Sequence, residues 1–275
     1  MKITFYGVRG SIPTPGKDTS RYGGNTPCLV LESEDNQKLI LDAGTGLRLA
    51  SKEFKQYQAP IHLLLSHHHW DHIQGFPFFD PIFEAKRQLV IYPGHTTEAH
   101  DTAILEQMSK SYFPVKFHTL PSTITIKKTN FEMGFELGDF YIQSMAMNHP
   151  DGGTAFRIEC GGKTLVYATD NELRAPSTHL HHSFDEWVRF CQGADLLIHD
   201  AQYLDSELEF KTGWGHSTIS DTLNLADLAN IKLLCLFSHD PSRSDDQLDD
   251  LTAKLLAEKP PFSFFFAKEG RALQL

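Results

Sequence analysis

Leu63-Leu64-Leu65-Ser66-His67-His68-His69-Trp70-Asp71-His72 is the stretch on which the fold turns. Three leucines in a row read as the end of a buried strand, and the polar block after them emerges where that strand meets solvent. His67, His69, Asp71 and His72 then stand close together as candidate ligands. In a loop leaving a strand, His67 and His69 can turn the same way, while Asp71 and His72 lie a turn further on, at the start of a helix. That divides the ligands into two pairs, as two adjacent metal ions would need. Imidazole with carboxylate suits zinc, with manganese or iron as alternatives. A histidine-rich surface loop is the plain alternative, but such a loop needs no apolar strand leading into it.

The pattern His67-x-His69-x-Asp71-His72 resembles the signature of the metallo-β-lactamase-fold hydrolases. That resemblance implies an α/β fold, a four-layer αββα sandwich with the metal site at one edge of the sheets. It also implies three further ligands, a His, an Asp and a His, each just after a strand. His149 follows the alternating stretch Phe140 to Met147, Asp170 follows Thr164 to Ala168, and His239 follows Lys232 to Phe237. On the family pattern His67, His69 and His149 hold one metal, Asp71, His72 and His239 hold the second, and Asp170 bridges. The cofactors expected are therefore two divalent metal ions, Zn2+ first and Mn2+ or Fe2+ as alternatives, sharing an acidified water as nucleophile.

Departures from other branches narrow the class. His69 stands where the di-iron, oxygen-reducing relatives have Glu, which argues for hydrolysis rather than redox chemistry. Gly215-His216-Ser217-Thr218, followed by a helix and then Phe237-Ser238-His239, is similar to ribonuclease Z and the cyclic-phosphate phosphodiesterases, in which such a His protonates the leaving oxygen. His216 is thus the candidate general acid, and Asp200, at the end of the preceding strand, is the group to orient it and favour its charged form. Asp71 joins them as a catalytic residue as well as a ligand. The loops Gly7-Val8-Arg9-Gly10-Ser11 and Tyr22-Gly23-Gly24-Asn25-Thr26 resemble the phosphodiesterase-like branch, making Arg9 and Asn25 candidate substrate contacts. As composition alone, both loops read equally as tight turns. Arg243 is a further candidate phosphate contact, and Tyr112 a candidate for stacking a base.

Composition sets the outer bounds. The 275 residues are 40% hydrophobic and 22% charged, ordinary for a globular chain, with a formal net charge of −10. An acidic balance argues against a broad nucleic-acid surface, and makes a small anionic phosphodiester the expected partner. Cys28, Cys160, Cys191 and Cys235 are scattered, which suits core thiols in a reducing compartment. No stretch approaches transmembrane length, so no membrane partner and a cytoplasmic location are expected. One domain over 1–275 accounts for the chain, with a lid or dimerisation insertion at about 76–120, and a homodimer is expected from the family.

Full ribonuclease Z activity needs a way to hold tRNA, and in that family a long protruding arm does so. Only 20 residues separate His149 from Asp170 (170 minus 149, minus 1), and a hairpin occupies them. The expected activity is therefore dinuclear-metal hydrolysis of a small phosphodiester, a 3′,5′-cyclic nucleotide or related cyclic phosphate. The alternatives are a glyoxalase II-like thioesterase or lactonase, and an RNA-processing nuclease of ribonuclease Z type.

Overall fold

The computed structural model describes residues 1–94, 101–128 and 133–275. Two seven-stranded mixed sheets pack face to face. The first contains β1 (Lys2–Gly7), β2 (Cys28–Glu32), β3 (Lys38–Leu41), β4 (Ile61–Leu64), β5 (Gln88–Tyr92), β6 (Thr123–Ile126) and β14 (Ala272–Gln274), in the order β14-β1-β2-β3-β4-β5-β6. The second contains β7 (Phe135–Leu137), β8 (Phe140–Ala146), β9 (Thr154–Cys160), β10 (Lys163–Ala168), β11 (Leu196–Asp200), β12 (Leu233–Phe237) and β13 (Ser263–Phe266), in the order β13-β12-β11-β10-β9-β8-β7. In each sheet a hairpin-linked antiparallel half joins a parallel half.

Strand alternation builds three apolar layers. Leu196 and Ile198 point between the sheets, where they meet Phe5, Phe156 and Phe237, whereas Leu197 points outward to Trp187 and Leu225. Leu64 likewise faces the inter-sheet core, while Leu63 and Leu65 face Phe54, Phe76 and Phe79 outside the first sheet. Apolar residues on both faces are what a near-continuous hydrophobic run in a parallel strand requires. The expected αββα sandwich is the observed architecture.

Outside the second sheet lie α4 (Phe184–Cys191), α6 (Ile219–Leu228) and α7 (Asp245–Glu258). Each starts where capping chemistry satisfies its free N–H groups: Ser183 with Glu186, Thr218 accepting from Asp221, and Ser244 with Gln247. Leu47 to Lys55 reads as one helix in the sequence, and the structure divides it into α1 (Leu47–Ala50) and a tighter 3-10 turn, Ser51–Phe54. The sequence also reads as helical near 97–110; the helix among the described residues there is α3 (Ala103–Glu106), and 95–100 lie outside them. Within the 76–120 stretch, β5 is an inner strand of the first sheet and Phe76, Phe79 and Ile82 are core residues, so only part of it stands clear of the sandwich. Sequence reasoning passed over β6, β7 and β14. All three are short edge strands, half-buried and without a long apolar run. No helix among the described residues is long and apolar enough to cross a membrane.

His199 gives the fold an acid-sensitive point. It is buried on β11, its Nδ1–H donates to Asp200 O at 2.7 Å, and its Nε2 accepts from Asn171 Nδ2 at 3.1 Å. The Asn171 contact demands the neutral ring, and burial, against the Asp200 carbonyl that favours the charged form, lowers its pKa from 6.5 to about 4. A depressed folded-state value means the unfolded chain takes the proton first. The stabilisation is therefore complete above pH 6.5 and fades as pH falls towards 4. Denaturant titrations at pH 7 and pH 4 should show His199→Gln losing on the order of 3 kcal/mol less stability than the parent over that interval.

Candidate metal centre and its acid

The centre gathers at the carboxyl ends of strands from both sheets, where α/β folds place their sites. Three of the turns that build it kink through left-handed backbone: Asp42 after β3 (φ 59°), Asp170 after β10 (φ 48°) and Ser238 after β12 (φ 59°). Asp is one of the few side-chain-bearing residue types enriched there, and such conformations concentrate at functional sites. Each kink ends a strand abruptly and turns its side chain inward.

Asp42 is the hub. Its Oδ2 accepts from Ser66 Oγ at 2.9 Å, Tyr167 Oη at 2.7 Å and His72 Nδ1 at 2.9 Å, and its Oδ1 accepts from Ser66 N at 2.7 Å. These contacts fix tautomers. Because His72 donates from Nδ1 to Asp42, its Nε2 is the nitrogen turned to Asp170 Oδ2 at 3.2 Å and Asp71 Oδ2 at 3.3 Å, where Nε2–H donates as long as the ring is charged. Because the Ser66 hydroxyl proton goes to Asp42, Ser66 Oγ accepts from His67 Nδ1 at 3.0 Å. His67 Nε2 is then left buried with no hydrogen-bond partner.

An orphaned, buried imidazole nitrogen is costly unless something else binds it. His67, His69 and His149 bring one nitrogen each within 4.8 Å of one another, and His67, His72 and Asp170 form a second such group. His149 donates from Nδ1 to Gly215 O at 3.1 Å, turning Nε2 towards His69 Nδ1 at 2.9 Å. Asp170 belongs to the second group, and its Oδ1 is held by Thr169 Oγ1 (2.8 Å) and Ser238 Oγ (3.1 Å) while Oδ2 faces His72. Neutral nitrogens with buried carboxylates fit divalent zinc, manganese or iron. Asp71 is tied differently: its Oδ2 accepts from the Ser11 N–H at 2.8 Å, bringing the first glycine loop to the centre.

Protonation follows burial and neighbours. Burial drives His67 well below its ordinary value and His149 down to about 3, with neighbouring imidazoles adding to the effect, so both rings are neutral, as candidate ligands need to be. For His72 burial acts the same way, but Asp71, Asp170 and Asp42 outweigh it and raise the pKa well above 6.5. Metal binding must therefore displace a proton from His72. Asp42→Asn keeps the volume but replaces a carboxylate that accepts four hydrogen bonds by an amide. We expect metal affinity to fall roughly 10- to 100-fold, read by titrating the apoprotein with Zn2+.

His239 departs from the expected arrangement. Its Nε2 meets Ala267 O at 2.8 Å and its ring packs against Tyr22 and Phe266, so it joins neither ligand group. Nδ1 is the nitrogen left for a metal, and burial with Arg9 nearby lowers its pKa to about 3, keeping the ring neutral.

His216 and Asp200 pair as the sequence suggested. His216 Nδ1 lies 2.6 Å from Asp200 Oδ2, while Asp200 Oδ1 accepts from Ser217 N at 2.8 Å. Burial works against the imidazolium, but the Asp200 and Asp170 carboxylates prevail and raise its pKa to about 9. With Asp170 these two form a third group inside 4.8 Å. Gly215 is the close approach that makes this possible. A Cβ there would fall 1.8 Å from His149 Nδ1, and its φ is +87°.

The expected substrate contacts fare less well. Arg9 is fully buried and its guanidinium donates to backbone carbonyls of Gly23, Asp240 and Arg243, so it braces the loops instead of facing a ligand. Arg243 is buried against both oxygens of Glu207 at 2.9 and 2.8 Å. Both guanidiniums were legible as cations in the sequence, but their partners lie far along the chain. Asn25 Nδ2 donates to Glu269 at 3.1 Å, on the wall of a cavity of about 550 Å³ shared with Arg48 and Gln74. Tyr112 is 83% exposed and lines a cleft of about 540 Å³ with Trp70, Phe78 and Phe113. Asp42, Ser66, Tyr167 and Glu172 were missed. Only the phrase Asp42-Ala43-Gly44 after an apolar strand hinted at any of them.

Residues 37–239 match the β-lactamase superfamily domain. This chain belongs to that superfamily. The ribonuclease Z of Staphylococcus carnosus (strain TM300) is 22% identical over 315 aligned residues, covering 98% of both chains. Among solved structures, the metallo-β-lactamase fold protein YhfI from Bacillus subtilis superposes with a TM-score of 0.71 at 21% identity, covering 99% of each chain. The short form of human tRNase Z (ELAC1) gives 0.66 at 20% identity, covering 100% of this chain and 99% of its own. These likenesses extend the superfamily fold to almost the whole chain, beyond the span of the domain match.

Proposed function

We propose that this superfamily member is a metal-dependent phosphodiesterase acting on a small phosphodiester, in the first place a 3′,5′-cyclic nucleotide or related cyclic phosphate. The observation that carries this is the Asp200–His216 pair, 2.6 Å apart and grouped with Asp170. A thioesterase expels a thiolate, which needs no such acid, whereas an alkoxide leaving a phosphoryl centre does. Held by the His and Asp ligands, two divalent ions would supply Lewis acidity and an activated water at neutral pH.

The chain's own groups do the rest. Asp200 keeps Nδ1–H of His216 engaged, so Nε2–H is the proton available to the departing oxygen. A raised pKa keeps that proton in place near neutrality. Once it is given up, the Nδ1–H contact to Asp200 still orients the neutral ring for reprotonation. His149 shares this loop through Gly215 O, which ties the placement of a ligand to the placement of the acid.

Two features favour a small substrate over tRNA. The β9–β10 hairpin fills the interval from His149 to Asp170 and closes at Gly161-Gly162, with no room for a protruding arm. A net charge of −10 opposes a broad polyanion interface. Processing of precursor tRNA is the second reading, favoured by relatives of that name matched over nearly their full length. The four cysteines are free and buried, supporting a reducing, cytoplasmic setting.

The test is to incubate zinc- or manganese-loaded protein with 3′,5′- and 2′,3′-cyclic nucleotides, a precursor tRNA and a thioester. Preferential opening of a cyclic nucleotide, abolished by chelation, is the expected result. Turnover of the thioester alone would sink it, and turnover of the tRNA alone would establish the second reading.

A further inference from the structure

The loop that carries His216 is fastened from beneath. Glu172 is buried, and both of its oxygens accept from that loop, Oε1 from Gly213 N at 2.8 Å and Oε2 from Gly215 N at 3.0 Å. His179 Nε2 closes on Oε2 at 3.2 Å. On the far side of His216, Ser217 Oγ donates to Asn171 O at 2.5 Å and accepts from Leu173 N at 3.0 Å. Gly213 and Gly215 both take positive φ, +88° and +87°, which side-chain-bearing residues rarely adopt. Between these two clamped glycines stands Trp214, 62% exposed.

Trp214 is thus a large ring on an immobilised backbone with little of its surface buried by the chain itself. Its neighbourhood supplies a partner. His216 must face the leaving oxygen, so the leaving group lies beside the 213–216 loop. Cα atoms two residues apart are separated by at most ~7 Å, and an indole extends about as far again, so a ring at position 214 is long enough to meet a group held at His216. Flat rings at such positions bind flat rings, because stacking needs only a π-face and a fixed distance.

We propose that Trp214 is a stacking platform for a nucleobase on the leaving side of the substrate, set at a fixed distance from the acid by the Glu172 clamp. The inference rests on the phosphodiesterase reading and narrows it to nucleoside phosphodiesters.

Trp214→Ala should raise KM for a nucleoside 3′,5′-cyclic phosphate roughly 10-fold with little change in kcat, and Trp214→Phe should restore most of it. KM for an aliphatic diester, glycerol 1,2-cyclic phosphate, should not move. Equal changes on both substrates, or none, would overturn the proposal. A second measurement does not need turnover. The chain has three tryptophans, and Trp187 is buried, so Trp70→Phe leaves Trp214 as the exposed indole. Adenosine 5′-monophosphate should quench its fluorescence, ribose 5-phosphate should not, and Trp70→Phe/Trp214→Phe should lose the response. If no diester is hydrolysed, the phosphodiesterase reading fails while the quenching still decides the stacking. Absence of quenching by the nucleotide overturns the stacking on its own.

Discussion

Replacing His216 by Ala should lower kcat on a cyclic nucleotide by about 10²- to 10⁴-fold, while a diester with a 4-nitrophenolate leaving group loses far less. The asymmetry is the diagnostic. An alkoxide requires a proton in the transition state, whereas 4-nitrophenolate departs as a stable anion. Equal losses on both substrates would make His216 a scaffold residue, since its ring also packs near His149 and Tyr203. Asp200→Asn should reproduce part of the loss and shift the alkaline limb of the rate profile downward. The sign follows from burial: without the Asp200 carboxylate, desolvation is opposed less and the His216 pKa falls from its raised value of about 9. Loss of rate with rising pH should then begin earlier in the variant than in the parent.

Asp170→Ala should be the most damaging single change, lowering activity by at least ~10³-fold, a loss of several kcal/mol in transition-state stabilisation. Asp170 is the residue common to the His67–His72 group and to the Asp200–His216 group. Its removal also strips His72 of one of the carboxylates that hold it charged in the absence of metal. The purified variant should therefore carry fewer divalent ions per chain, measured by elemental analysis. Its fold should persist, because Asp170 lies at a strand end outside the three apolar layers. A variant with full metal content and parental activity would remove Asp170 from the centre altogether.

Much of this was legible because the signals are local. An apolar run followed by His67-x-His69-x-Asp71-His72 marks a strand end and its ligands within ten residues, and strands such as β5, β10 and β12 announce themselves by side-chain type. Thr218 and Ser244, which open α6 and α7, carry a signal of the same local kind, since a cap bonds to a backbone group only two or three residues away. The order of candidate ligands, the candidate acid on its Gly215-His216 turn and the sandwich they imply are therefore legible in the sequence.

What the tertiary structure alone decided are the long-range pairings. Arg9 and Arg243 carry the charge a phosphate would want, yet Arg9 braces carbonyls up to 234 positions away and Arg243 is taken by Glu207. Asp42 looked like a turn residue and is the hub that sets the tautomers of His67 and His72. His239 has the expected place in the chain, but its Nε2 is turned to Ala267. Residue type and spacing limit which contacts a side chain is able to make. Which partner it meets depends on how two sheets bring distant strand ends together, and no local pattern encodes that.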